Sequence, residues 1–168
     1  VTLYEANRLT VTRQLPYDAA ATKTIDLCLF VNGIPVATAE LKNPLTHQSV
    51  EHAKTQYRTD RDPANVTLGR RAVVHFAVDP ELVEMTTRLE GAKTRFLPFN
   101  RGNAGGKGNA PDQSGHRTRY LWEEVWSRDA WLDLLGRFAH VIPAETGATK
   151  AAKLKAGSTI FPRYHQWD

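Results

Sequence analysis

A single cysteine, Cys28, in 168 residues excludes an intrachain disulfide and agrees with a reducing interior. Long apolar runs are missing too: none approaches the roughly 20 residues a helix needs to cross a bilayer. No charged start, apolar core and small-residue cleavage site opens the chain. A cytoplasmic protein with no membrane partner is therefore the simplest expectation. Neither sign of charge dominates, since a formal net charge of +4 is compatible with nucleic acid without pointing to it. Basic pairs stand at Arg58/Arg61, Arg70/Arg71 and Arg117/Arg119, with a basic triplet at Lys150/Lys153/Lys155, and each reads most simply as a solvated face. A phosphate-binding loop is also lacking. The Gly106-Lys107 pair would need glycine five positions earlier and Ser or Thr after it, where Arg101 and Gly108 stand.

What is present suits one folded domain, with 41% hydrophobic and 24% charged residues. The first residue is Val1 and the last stretch, "FPRYHQWD", is patterned, so the chain reads as a piece of something longer. Alternation over "NRLTVTRQLPY" predicts a half-exposed strand ending at Pro16. The apolar run "IDLCLFV" and the small-residue run "PVATAEL" flank Asn32-Gly33 and predict a hairpin buried on both faces. From Thr46 to about Thr59 the spacing of Val50, Ala53 and Tyr57 is helical, with Thr46 as N-cap and Asp62-Pro63 as the stop. "RAVVHFAVD" is again a strand, and "LVEMTTRL" and "TRFLPF" form an antiparallel pair around Gly91. The order β-β-β-α-β-β-β gives an α/β domain with a mixed sheet. Residues 1–100 form the core, 101–116 a mobile Gly-rich loop, and 117–142 a helical segment broken at Ser127 with Leu132, Leu135 and Phe138 inward. Its tryptophans read as packing. Residues 143–168 are a linker and the entry to a further domain.

The hairpin carries Asp26, Glu40 and Lys42 in or beside strand-like apolar residues. Glu-x-Lys as a spelling is uninformative, because chance supplies about one such pair at this composition. Placement carries the weight, since charges enter buried strands only when paired or bound to metal. A strict two-residue turn would send Asp26 and Glu40 to opposite faces. A three-residue loop, or a bulge near Pro35, pairs Val31 with Pro35 and hence Asp26 with Glu40, with Lys42 on the same face. Carboxylates about 5 Å apart repel by roughly 3 kcal/mol at an effective dielectric of about 20. Two remedies stand open. Lys42 closes a structural ion cluster, or a magnesium ion takes Asp26, Glu40 and the Leu41 carbonyl as oxygen ligands, with Lys42 assisting phosphodiester hydrolysis. His75, on a strand of valines, reads as a packed residue, Cys28 as a small core residue, and Glu5 as an exposed glutamate.

Strand, Asp26, hairpin, Glu40-Leu41-Lys42 and helix together resemble the PD-(D/E)xK nuclease superfamily. "LFVNGIPVATAELKNP", "EHAKTQYRTDRDP", "VHFAVDPELVEMTTRL", "RFLPFNRGN" and "FPRYHQWD" resemble the amino-terminal region of the restriction (motor) subunit of type I restriction-modification enzymes. The resemblance implies a restriction-endonuclease-like core whose central sheet is flanked by helices, and a magnesium-dependent endonuclease cutting double-stranded DNA away from the recognition site. It also implies methylation and specificity subunits as partners, and an ATP-driven translocase following this chain, with Gln166 at the ATP adenine. Many such nucleases carry Gln-x-x-x-Tyr on the helix. With Tyr57 as the tyrosine, Ala53 stands at the glutamine position, and Gln48 and Gln56 are the candidate substitutes. Arg58 and Arg61 are the nearest basic candidates for a DNA contact. The competing expectation is a non-catalytic DNA-binding or docking module whose Asp/Glu/Lys cluster only holds the sheet together.

Overall fold

The fold is taken from a computed structural model, which describes residues 2–18, 22–142 and 159–168. The linker Lys triplet lies outside the described residues.

Six strands form one mixed sheet in chain order: β1 (Leu9–Pro16), β2 (Thr24–Val31), β3 (Ile34–Leu41), β4 (Val74–Val78), β5 (Val83–Thr86) and β6 (Leu97–Pro98). All neighbours are antiparallel except β3 and β4, which run parallel because helix α1 (Val50–Thr59) carries the chain back between them. The expected α/β class with a mixed sheet is thus the observed one. The helix starts later than its periodicity suggests. Pro44–Thr46 form a separate 3₁₀ turn, and Ser49 is the N-cap residue. Asp79, at the end of β4, lends an oxygen to the Val50 N–H at 2.7 Å, so the N-terminal charge preference of the helix is met from across the fold.

The two sheet faces differ. On one, Leu29, Ala37, Ala39, Val74, Phe76 and Val78 pack against Phe99, Tyr120, Trp131 and Leu134 from the later chain. On the other, α1 brings Val50, Ala53 and Tyr57 onto Ala77, Ile25 and Leu68. Lys54 pins α1 to β5 through Glu84 at 2.9 Å.

Beyond the sheet, π-helical turns at Leu121–Val125 and Leu134–Phe138 flank α2 (Arg128–Asp133), and the chain breaks at Ser127 as its sequence indicates. Leu135 and Phe138 pack on the core as expected, joined by the fully buried Trp131 and Leu134, while Leu132 is the one expected residue that the core does not take in. The Gly-rich segment 101–116 is fastened by Asn109, which takes the Arg101 N–H and donates to Glu81 and Asn100. Short strands β7 (His140–Val141) and β8 (Thr159–Ile160) pair with each other, and α3 (Tyr164–Trp167) follows.

Candidate active site

Everything at the site depends on how β2 meets β3. Asn32 and Gly33 both have positive φ, 52° and 79°, which makes a two-residue turn of the twisted hairpin type. Val31 therefore pairs with Ile34, not with Pro35 as expected from sequence. The offset arrives two residues later. Phe30 pairs with Pro35 but Leu29 with Ala37, leaving Val36 as an extra residue whose carbonyl turns to the Val73 N–H at 2.8 Å. From there Cys28 pairs with Thr38 and Leu27 with Ala39, a register that continues to Asp26 beside Glu40. One bulge thus brings the two carboxylates to one face.

Glu40 is fully buried on the central strand. Its Oε1 accepts from Arg61 Nε at 2.7 Å and lies 2.6 Å from Nη2 in an ion pair, while its Oε2 is buried with no hydrogen-bond partner among the described residues. Burial pushes its carboxyl up to about 8, against the lowering influence of Arg61 and with further raising by Asp26. Asp26 accepts the Leu41 N–H on Oδ2 at 2.8 Å and the Gln14 amide on Oδ1 at 3.0 Å. Each of these oxygens keeps a further lone pair. The pair therefore offers one orphaned buried oxygen and partly used ones beside it, which fits a hard divalent cation. Among the described residues no group of three or more His, Cys, Asp and Glu side chains could hold a metal, so further ligands must be carbonyls such as that of Leu41, or water.

The cation that meets Glu40 is Arg61, arriving from the exit of α1, and not Lys42. Arg61 is 4% exposed and also binds the Thr24 carbonyl and the Tyr17 hydroxyl, so it presents no free charge to a DNA phosphate. Lys42 continues the parallel ladder through its N–H to the Val78 carbonyl, and its ammonium donates to Gln56 Oε1 at 2.5 Å. Gln56, one helical position before Tyr57, is thus the glutamine that meets the lysine. Gln48 is exposed before the helix. Tyr57 is fully buried, its hydroxyl on Thr38, and that same Thr38 meets His75 Nδ1 at 2.7 Å, which places Tyr57 in the wall behind the site rather than on a surface. Arg58 bonds the Thr94 carbonyl and lies over Phe96, its guanidinium half-buried. Gln166 lies in α3, folded back onto the Arg163 N–H.

Two pairings escaped sequence reasoning: Gln14 with Asp26, and Glu40 with Arg61, a candidate DNA or supporting contact by sequence. Gln14 sits in an alternating edge strand with nothing to mark it, and Arg61 lies 21 residues from Glu40. The only signal for Arg61 was the need for positive charge near two carboxylates.

No curated protein and no solved structure matches the chain. The family of the type I restriction enzyme R protein N terminus matches residues 3–94, which hold every strand from β1 to β5 and all of Asp26, Glu40, Lys42, Gln56 and Arg61. With more than half of its length matched, the chain belongs to the family of type I restriction enzyme R protein N termini.

Proposed function

We propose that this chain is a PD-(D/E)xK endonuclease domain that hydrolyses DNA phosphodiesters with magnesium, as the amino-terminal part of an ATP-dependent type I restriction enzyme. Family membership supplies the context of a restriction-modification complex. The observation that carries the catalytic reading is the fully buried Glu40, whose Oε2 has no hydrogen-bond partner among the described residues, on the strand whose register continues to Asp26.

Asp26, Glu40 and the Leu41 carbonyl would hold the magnesium ion. When bound, it supplies positive charge to a phosphate oxygen and acidifies a water molecule. Arg61 fixes the Glu40 carboxyl from behind, so that only Oε2 is left for the ion. Lys42, braced by Gln56, brings an ammonium to the same face, where it stabilises charge developing on the phosphate. Double-stranded DNA is the substrate in this reading, and methylation and specificity subunits are the partners. ATP is handled by the translocase portion of the full-length protein, where Gln166 contacts adenine.

A second reading rests on the Arg61–Glu40 ion pair, which already neutralises one carboxylate. On that reading the cluster is structural, and the domain binds DNA or docks other subunits without cutting. Plasmid cleavage by the complete enzyme with ATP and magnesium separates the two. Asp26→Ala and Lys42→Ala should each abolish cutting while ATP hydrolysis continues. Cutting retained in both variants would leave the structural reading.

A further inference from the structure

In the middle of β1 the backbone of Gln14 stands at φ 49°, a left-handed conformation sparsely populated by residues with a Cβ. The flanking pairs Arg13↔Leu27 and Leu15↔Ile25 keep one register, so Gln14 is not an inserted bulge residue but stands opposite Asp26. Its side chain is exposed and belongs to none of the hydrophobic clusters, so packing of β1 does not call for it. What the conformation accompanies is a polar bridge. Gln14 Nε2 donates to Asp26 Oδ1 at 3.0 Å, and Gln14 Oε1 accepts from Thr24 Oγ1 at 2.7 Å.

We propose that Gln14 is a positioning residue which clamps the Asp26 carboxylate in the orientation that shares a divalent cation with Glu40. The inference rests on the metal-site reading given above. Together with the Leu41 N–H, Gln14 fixes both Asp26 oxygens and leaves each a lone pair. An amide suits this position by its charge. A carboxylate there would add to the repulsion between Asp26 and Glu40, and an ammonium or guanidinium would compete with the cation for Asp26. Second-layer partners of this kind orient ligands and change metal affinity by 10- to 100-fold when removed. Strained backbone retained next to such a group is the pattern expected where a site, and not the fold, requires the conformation.

The test is calorimetric titration of the chain with MnCl2, beside thermal unfolding. Gln14→Gly relieves the left-handed strain and removes the amide, so it should weaken manganese binding about tenfold while leaving the melting temperature unchanged or higher. Gln14→Asn tolerates the backbone conformation and keeps an amide one methylene too short, and should lose affinity similarly. A purely structural role predicts affinity and melting temperature falling together. Wild-type affinity in both variants would overturn the role of Gln14 and leave the metal site standing. A wild-type chain that binds no manganese would remove both.

Discussion

Arg61 closes on a single oxygen of Glu40, with a hydrogen bond from Nε to Oε1 at 2.7 Å and an ion-pair contact of Nη2 with the same oxygen at 2.6 Å, and leaves Oε2 buried without a donor among the described residues. Of the two carboxyl groups, only Glu40 meets a guanidinium, Asp26 is held by neutral donors, and Lys42 is engaged with Gln56. The imbalance is met by a proton on Glu40, whose titration is pushed up to about 8, or by a cation in its place.

Removing Arg61 tests its share in the fold. Above pH 8, where Glu40 is ionised, Arg61→Met strips the buried carboxylate of its countercharge, and breaking a buried pair in this way costs about 3–5 kcal/mol. For a chain of this size that lowers the melting temperature by roughly 10 °C. Glu40→Gln in the same background should restore much of the loss, which urea unfolding of the single and double variants would measure.

Stability should fall as pH rises through neutrality. Glu40 titrates at 4.5 when unfolded and about 8 in the fold. Between these values the folded state holds the extra proton, so its contribution is full below 4.5 and lost as pH climbs to 8. His75 runs the other way, from 6.5 to about 4 through burial, so its contribution is full above 6.5 and lost as pH falls toward 4. From 6.5 to 8 only the Glu40 slope of these two acts. Urea midpoints should decline across that window in wild type and stay flat in Glu40→Gln.

Gln56 should matter to cutting and not to DNA binding. Gln56→Leu frees the Lys42 ammonium from its acceptor, and the misplacement should lower cleavage by the complete enzyme about 10- to 100-fold. DNA affinity, read by fluorescence anisotropy, should stay within about twofold, and equal losses in both would point to a general disturbance of α1.

Asp79 should prove a structural hub. It accepts the Val50, Glu81 and Leu82 N–H groups, so Asp79→Ala unsatisfies the start of α1 and the β4–β5 turn together. A loss of about 2 kcal/mol is expected, with Asp79→Asn retaining part of it, measured by urea unfolding.

The sequence made the hairpin legible because Asn32-Gly33 and the apolar runs around it are local signals, and the charges inside those runs marked Asp26 and Glu40. It also made the need for an offset legible, since side chains alternate strictly along a strand. A bulge near Pro35 was readable and falls at Val36, next to it, but the choice of a bulge over a three-residue loop was not, because the position of Val36 answers to the β4 backbone at Val73. The pairings of Arg61 and Gln14 were hidden for the same reason, because they are set by tertiary packing across 21 and 12 residues. The helix start moved from Thr46 to Val50 because Asp79, far along the chain, caps it.

On the proposed reading, Asp26 and Glu40 jointly hold a divalent cation. Calorimetric titration of the chain with MnCl2 at pH 8, comparing wild type with Asp26→Asn, tests it most directly. One manganese per wild-type chain is expected, and at least a tenfold weaker affinity in Asp26→Asn with folding intact. No binding by wild type, or equal binding by both, would contradict it.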